Sequence, residues 1–113
     1  MIRYLEPLYT TTKTEKLVKK IRRAFSSGAG MTGIYLITIA SNEKDVFDVF
    51  SVMLLKQRGF RHRDYDVIGI AESEEAAFSL VARIHDDYFR AFGSYDGIRQ
   101  ELLRRLHEQE KET

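Results

Sequence analysis

The chain has 113 residues, 43% of them hydrophobic and 31% charged, with a formal net charge of +1 and no cysteine. That length and mixture suit a single globular domain, residues 1–113, with a buried core, and the missing cysteine excludes disulfides, thiolate nucleophiles and thiolate metal sites. The charge is uneven: residues 1–63 carry twelve Lys/Arg against five Asp/Glu, and residues 64–113 carry six against twelve. Such an asymmetry marks either a nucleic-acid face or two halves that attract each other, within a chain or between copies.

The N-terminus has no apolar stretch of signal-peptide length, and the longest apolar runs, IYLI and VMLL, fall far short of the about 20 residues that span a bilayer. The expected location is the cytoplasm. Residues 2–9 (IRYLEPLY) have strand composition, but Pro7 restricts them to an edge strand or an extended arm. TKTE then reads as a capping box from Thr12 to Glu15, opening an amphipathic helix over residues 13–26. Its apolar side holds Leu17, Val18, Ile21, Ala24 and Phe25, and Lys13, Lys16, Lys19, Lys20, Arg22 and Arg23 fill the other side.

Residues 33–40 (GIYLITIA) are β-branched, aromatic and nearly all apolar, as a strand covered on both faces should be. Ser41 and Asn42 supply an N-cap for a helix expected over residues 43–58. On that helix Val46, Phe47, Val49, Phe50, Met53 and Leu54 share an arc, whereas Val52 and Leu55 fall among polar residues. Two large apolar side chains on a polar face predict cover by another helix or a second subunit. Residues 65–72 (YDVIGIAE) form a second buried strand, and Ser73 caps a helix over 74–92 whose core face is flanked by Phe78 and Phe89. After the break at GSYDG a last helix spans 95–109. The order (β)αβαβαα predicts an α/β fold with a small, mainly parallel sheet of two to three strands, helices packed on it, and parallel pairing through right-handed crossovers. So small a sheet leaves edges open, which favours a homodimer, with Val52 and Leu55 at its interface.

Several motifs invite chemistry. GAGMTG at 28–33 has the G-x-G-x-x-G spacing of phosphate-cradling loops, yet a helix runs into it and a strand runs out, the reverse of the dinucleotide arrangement. Helix termination by Gly28, with Gly30 and Gly33 shaping the turn, accounts for it. His-Arg-Asp at 62–64 matches a fragment of the protein-kinase catalytic loop, but position 69 is Gly where that loop needs Asn. The run reads as a solvated connection from helix to strand, with a basic surface that includes Arg61, His62 and Arg63 as the alternative. The HDD run at 85–87 points its three side chains in different directions on a helix, so it forms no metal site, and His85 reads as a core-edge histidine.

The stretch from GIYLITIASNEKDVFDVFSVMLLKQRGF through YDVIGIAESEEAAFSLVARIHDDYF resembles a group of small bacterial α/β proteins that share an IYLIT-like strand, an apolar helix and a VIGIA-like strand before an acidic helix start. The shared motifs are core patterns, so the resemblance implies a domain type and transfers no site residue.

No paired carboxylates, no Ser/His/Asp set and no metal-spaced cluster point to catalysis, and no cofactor is implied. The first expectation is therefore a non-enzymatic interaction module that forms a homodimer. A second is nucleic-acid binding by Lys13, Lys16, Lys19, Lys20, Arg22 and Arg23. A third is a small anionic ligand at Ser41, Asn42 and Ser73, where two parallel strands would end at helix N-termini.

Overall fold

The computed structural model describes residues 2–42 and 44–112, apart from the side chain of Arg61. Among these residues the elements run β1 (Ile2–Thr10), α1 (Thr12–Glu15), α2 (Val18–Ser27), β2 (Tyr35–Ile39), β3 (Phe47–Ser51), a 3-10 turn (Val52–Lys56), α3 (Arg58–Arg61), β4 (Tyr65–Ala71), α4 (Glu74–Phe92) and α5 (Ile98–Lys111). The four strands make one mixed sheet in the order β1-β4-β2-β3, with β1 parallel to β4 and the other two pairs antiparallel. This corrects the two- to three-stranded, mainly parallel sheet that the sequence predicts.

The error lies in residues 43–58, where a strand and a tight turn replace the expected helix; Glu43 itself lies outside the described residues. Asn42 folds the chain back, its Oδ1 accepting from the N–H groups of Lys44 and Asp45 at 2.9 Å each, and Ala40 N–H donates to Val46 C=O to close a hairpin. Phe47–Ser51 then pairs antiparallel with β2, and Ser51 caps the 3-10 turn by accepting from Met53 N–H. In a helix, Val52 and Leu55 would project from the polar side. In the observed turn they are 0% and 2% exposed, inside the chain's own core. Burying two such side chains contributes about 1.5–3 kcal/mol each, more than the helix propensity of the segment can offset. Neither residue is therefore available as an oligomer interface.

The sheet separates two apolar layers. On one face α4 and α5 bury Ala77, Leu80, Ile84, Ile98, Leu102 and Leu106 against Leu5, Ile37 and Ile68. On the other, Ile21 and Phe25 of α2 join Val52 and Leu55 over Leu36, Val67 and Ile70. The capping box sits one residue earlier than TKTE suggests: Thr11 and Thr14 cap each other, and the buried Thr14 hydroxyl donates to Ile70 C=O at 2.8 Å. The first helix is also broken at Lys16–Leu17, which leaves Leu17 38% exposed.

Gly69 has its own steric reason. A Cβ there would lie 3.1 Å from both the Tyr9 carbonyl oxygen and Ile37 Cδ1, because β1 closes on β4 at this point after a register shift between Tyr4 and Tyr9.

Candidate functional site

The antiparallel hairpin separates the residues expected to bind an anion. Tyr35 at the start of β2 faces Ala71 at the end of β4, so Ser41 and Asn42 lie at one end of the sheet and Ser73 at the other. Ser41 and Asn42 enter a hairpin loop rather than a helix, and Asn42 Oδ1 is engaged in the turn described above. Ser73 caps α4, its Oγ accepting from Ala76 N–H at 3.0 Å. The three do not form one site.

The glycine hexapeptide turns the backbone. Gly28 ends α2 with φ 71°, a left-handed conformation open to glycine, and its N–H donates to the Ala24 and Phe25 carbonyls. His85 Nδ1 bonds with Val81 C=O at 2.9 Å while its ring meets Phe47 edge-on. No group of three or more His, Asp or Glu suited to a metal ion occurs among the described residues. None of their helices is long and apolar enough to cross a membrane.

A cavity of about 360 Å³ opens at the end of the sheet where β2 runs out, walled by Phe50, Phe60 and Tyr65 with Asp48, Asp66 and Arg99 at its rim. The rim charges are engaged within the chain. Arg99 donates to three backbone carbonyls of the hairpin, those of Ala40 at 2.8 Å, Asn42 at 2.6 Å and Asp45 at 3.3 Å. Asp66 holds Arg3 by two bonds of 2.7 and 3.1 Å, which raise the guanidinium pKa further. Asp48 accepts from Ser41 N–H. Arg99 thus works as a clamp on the β2–β3 loop, a role that no local pattern on α5 announces.

The basic residues of the first helical segment divide. Arg22 turns back to β1, 3.2 Å from Glu6 and stacked 4.1 Å above the Tyr4 ring. The Glu72 carboxylate is held below its usual range chiefly by its own backbone N–H, then by the Thr11 hydroxyl, with the charge of Lys13 a lesser contribution. Lys16, Lys19, Lys20 and Arg23 are exposed.

The feature with the plainest unmet bonding capacity is the edge formed by β3. Ala40 N–H to Val46 C=O and Val52 N–H to Ile34 C=O fix the alternation of the β2–β3 ladder. That alternation turns the N–H and C=O of Phe47 and Val49 away from β2, towards solvent. Above this edge runs one flank of α4, where Phe78, Ala82, His85 and Phe89 recur at helical spacing and His85 packs on Phe47. Phe78, Phe89, Phe92 and Tyr95 are 55%, 44%, 58% and 54% exposed, and Phe89 stacks on Tyr95 with ring centroids 4.8 Å apart. The sequence marks Phe78 and Phe89 only as flanking residues; it is the strand beneath them that makes them part of a continuous surface.

Comparison of the chain with protein-family models, with curated proteins and with solved structures finds no match.

Proposed function

We propose that this protein is a non-catalytic interaction module that works as a homodimer, β3 of each copy continuing the sheet of the other. The observation that carries the reading is the open β3 edge lying directly under the exposed α4 aromatics. Antiparallel pairing about a two-fold axis at Val49 sets Val49 against its own copy and Phe47 against Ser51, and it uses the outward N–H and C=O of both Phe47 and Val49. The same axis, normal to the sheet, brings the two α4 helices side by side on one face. Phe78 and Phe89 of each copy then close over the junction. A stable dimer needs about 800 Å² from each partner, a modest share of a chain surface of 7209 Å². The absence of cysteine suits a reducing compartment, and we place the module in the cytoplasm. The likeness to small bacterial α/β proteins contributes no residue to this reading.

Sedimentation equilibrium tests it. The wild-type chain should show twice the 13.2 kDa chain mass. Val49→Pro removes an outward donor without touching the β2 ladder, and Phe78→Glu with Phe89→Glu places charge on the aromatic flank. Both variants should sediment as folded monomers by circular dichroism. A monomeric wild type at high micromolar concentration overturns the proposal.

A further inference from the structure

The charge imbalance along the sequence becomes an imbalance across the sheet. Residues 11–33 and 52–60, whose buried members pack with α2, carry eight Lys/Arg against a single acid, Glu15. Residues 72–112 build the α4–α5 side and carry six against ten. On the α2 side Lys16, Lys19, Lys20, Arg23, Lys56 and Arg58 are exposed, and none makes an ion pair among the described residues. Lys16, Lys19 and Arg23 line one open groove together with Glu15, and Lys19 and Arg23 stand about one helical turn apart on α2. Lys56 of the 3-10 turn lies against the turn that follows α2, within 3.5 Å of where a Cβ on Gly30 would be.

We infer that this layer docks on the phosphate backbone of a duplex nucleic acid without reading its bases. Cations spaced along a helix neutralise successive phosphates and release counterions, which supplies affinity with no sequence information. A single strand is a poorer fit, because it needs exposed aromatic platforms and the strongly exposed aromatics Phe78, Phe89, Phe92 and Tyr95 all belong to the opposite side. An anionic membrane is a poorer fit as well, since among the described residues the basic side exposes only one large apolar residue, Leu17, to insert. The inference stands without the dimer. With the two-fold normal to the sheet, both basic layers face the same way and bind one duplex together.

The test is fluorescence anisotropy of a labelled, mixed-sequence duplex, with a single strand of the same sequence, phosphatidylserine vesicles and polyglutamate as competing probes. Six released counterions give a slope of log K on log salt near −5, hence about a thousandfold loss between roughly 50 and 200 mM salt. Lys19→Glu with Arg23→Glu should weaken duplex binding at low salt by at least about a hundredfold while circular dichroism is unchanged. Val49→Pro should bind the duplex more weakly than wild type yet keep the salt slope per chain, so loss of the dimer and loss of duplex binding are read separately. No retention of the duplex at low salt overturns the inference. So does tighter binding of the single strand, the vesicles or polyglutamate, or a double variant that binds like wild type.

Discussion

The two edges of the sheet have been treated in opposite ways. At the β1 edge Pro7 offers no N–H, and the Gln109 side chain of α5 acts as a short false strand. Its Oε1 accepts from Glu6 N–H at 2.8 Å and its Nε2 donates to Tyr4 C=O at 3.0 Å. Arg3, bound to Asp66 and to Glu110 at 3.3 Å, ties the end of α5 to the same strand. At the β3 edge nothing comparable occurs among the described residues. The single charged side chain of that strand, Asp48, is turned back to the hairpin rather than guarding the edge. Exposed edges are hazards that proteins blunt with proline, charge or cover. If β3 pairs with a second copy as proposed, one edge closed by three devices and one left bare would let the sheet grow in one direction only.

Core burial sets the largest expected difference between the edges. Leu5 of β1 is fully buried beneath α5, and Leu5→Ala should cost about 2–5 kcal/mol. Val49 of β3 is half-buried, and Val49→Ala should cost only about 1 kcal/mol. Urea denaturation at low protein concentration measures both; equal losses would mean that the β3 edge is as fully covered as β1. Gln109→Ala comes next. It removes two hydrogen bonds, at about 0.5–1.5 kcal/mol each, and bares the β1 backbone. With both edges open the assembly should no longer stop at two copies, and light scattering should show open-ended growth. A variant that stays dimeric would show that Pro7 and the β1 irregularity suffice to close that edge.

These edges were partly legible before any coordinates. Residues 2–9 carry strand composition interrupted by Pro7, which announces an edge, and Ser73 announces the start of α4 with the helix running to Phe92 as its periodicity requires. What failed was residues 46–54, whose apolar positions satisfy a helical wheel and a half-buried strand equally well. All five residues of β3 are half-buried, so no clean alternation sets the strand apart. The available warning was the pair Val52 and Leu55, which no single helix could accommodate. Taking the segment as a helix made β2 and β4 parallel and so placed Ser41 beside Ser73. The α4 aromatics, the Arg99 clamp and the Gln109 plug depend on contacts 38 to 105 residues apart or on the identity of the strand below, as with Gln109 and Tyr4 at a separation of 105. Local pattern does not carry such information.

The smallest expected effect is a pH dependence in which Tyr9, at the closed edge, has the largest part. Tyr9, near the end of β1, donates its hydroxyl to Asp87 Oδ2 of α4 at 2.8 Å. Burial first, and the Asp87 carboxylate second, push the phenol up to about 12. In the unfolded chain a tyrosine ionises near 10. The folded state therefore holds this proton more tightly, and the stabilisation is complete below about pH 10 and is lost as pH rises from about 10 to 12. Tyr4 and Tyr65 are shifted the same way by burial, so Tyr9→Phe should flatten the alkaline fall without abolishing it. It should also lower stability slightly at neutral pH through the lost hydrogen bond. No tyrosine lies on β3, so Val49→Pro should leave the alkaline slope where it is in wild type, measured below the concentration at which copies associate. Urea midpoints followed by circular dichroism from pH 7 to 11 read both variants. If Tyr9→Phe has the wild-type slope, the phenol is not held by Asp87 in solution, and the tie from β1 to α4 is weaker than its geometry.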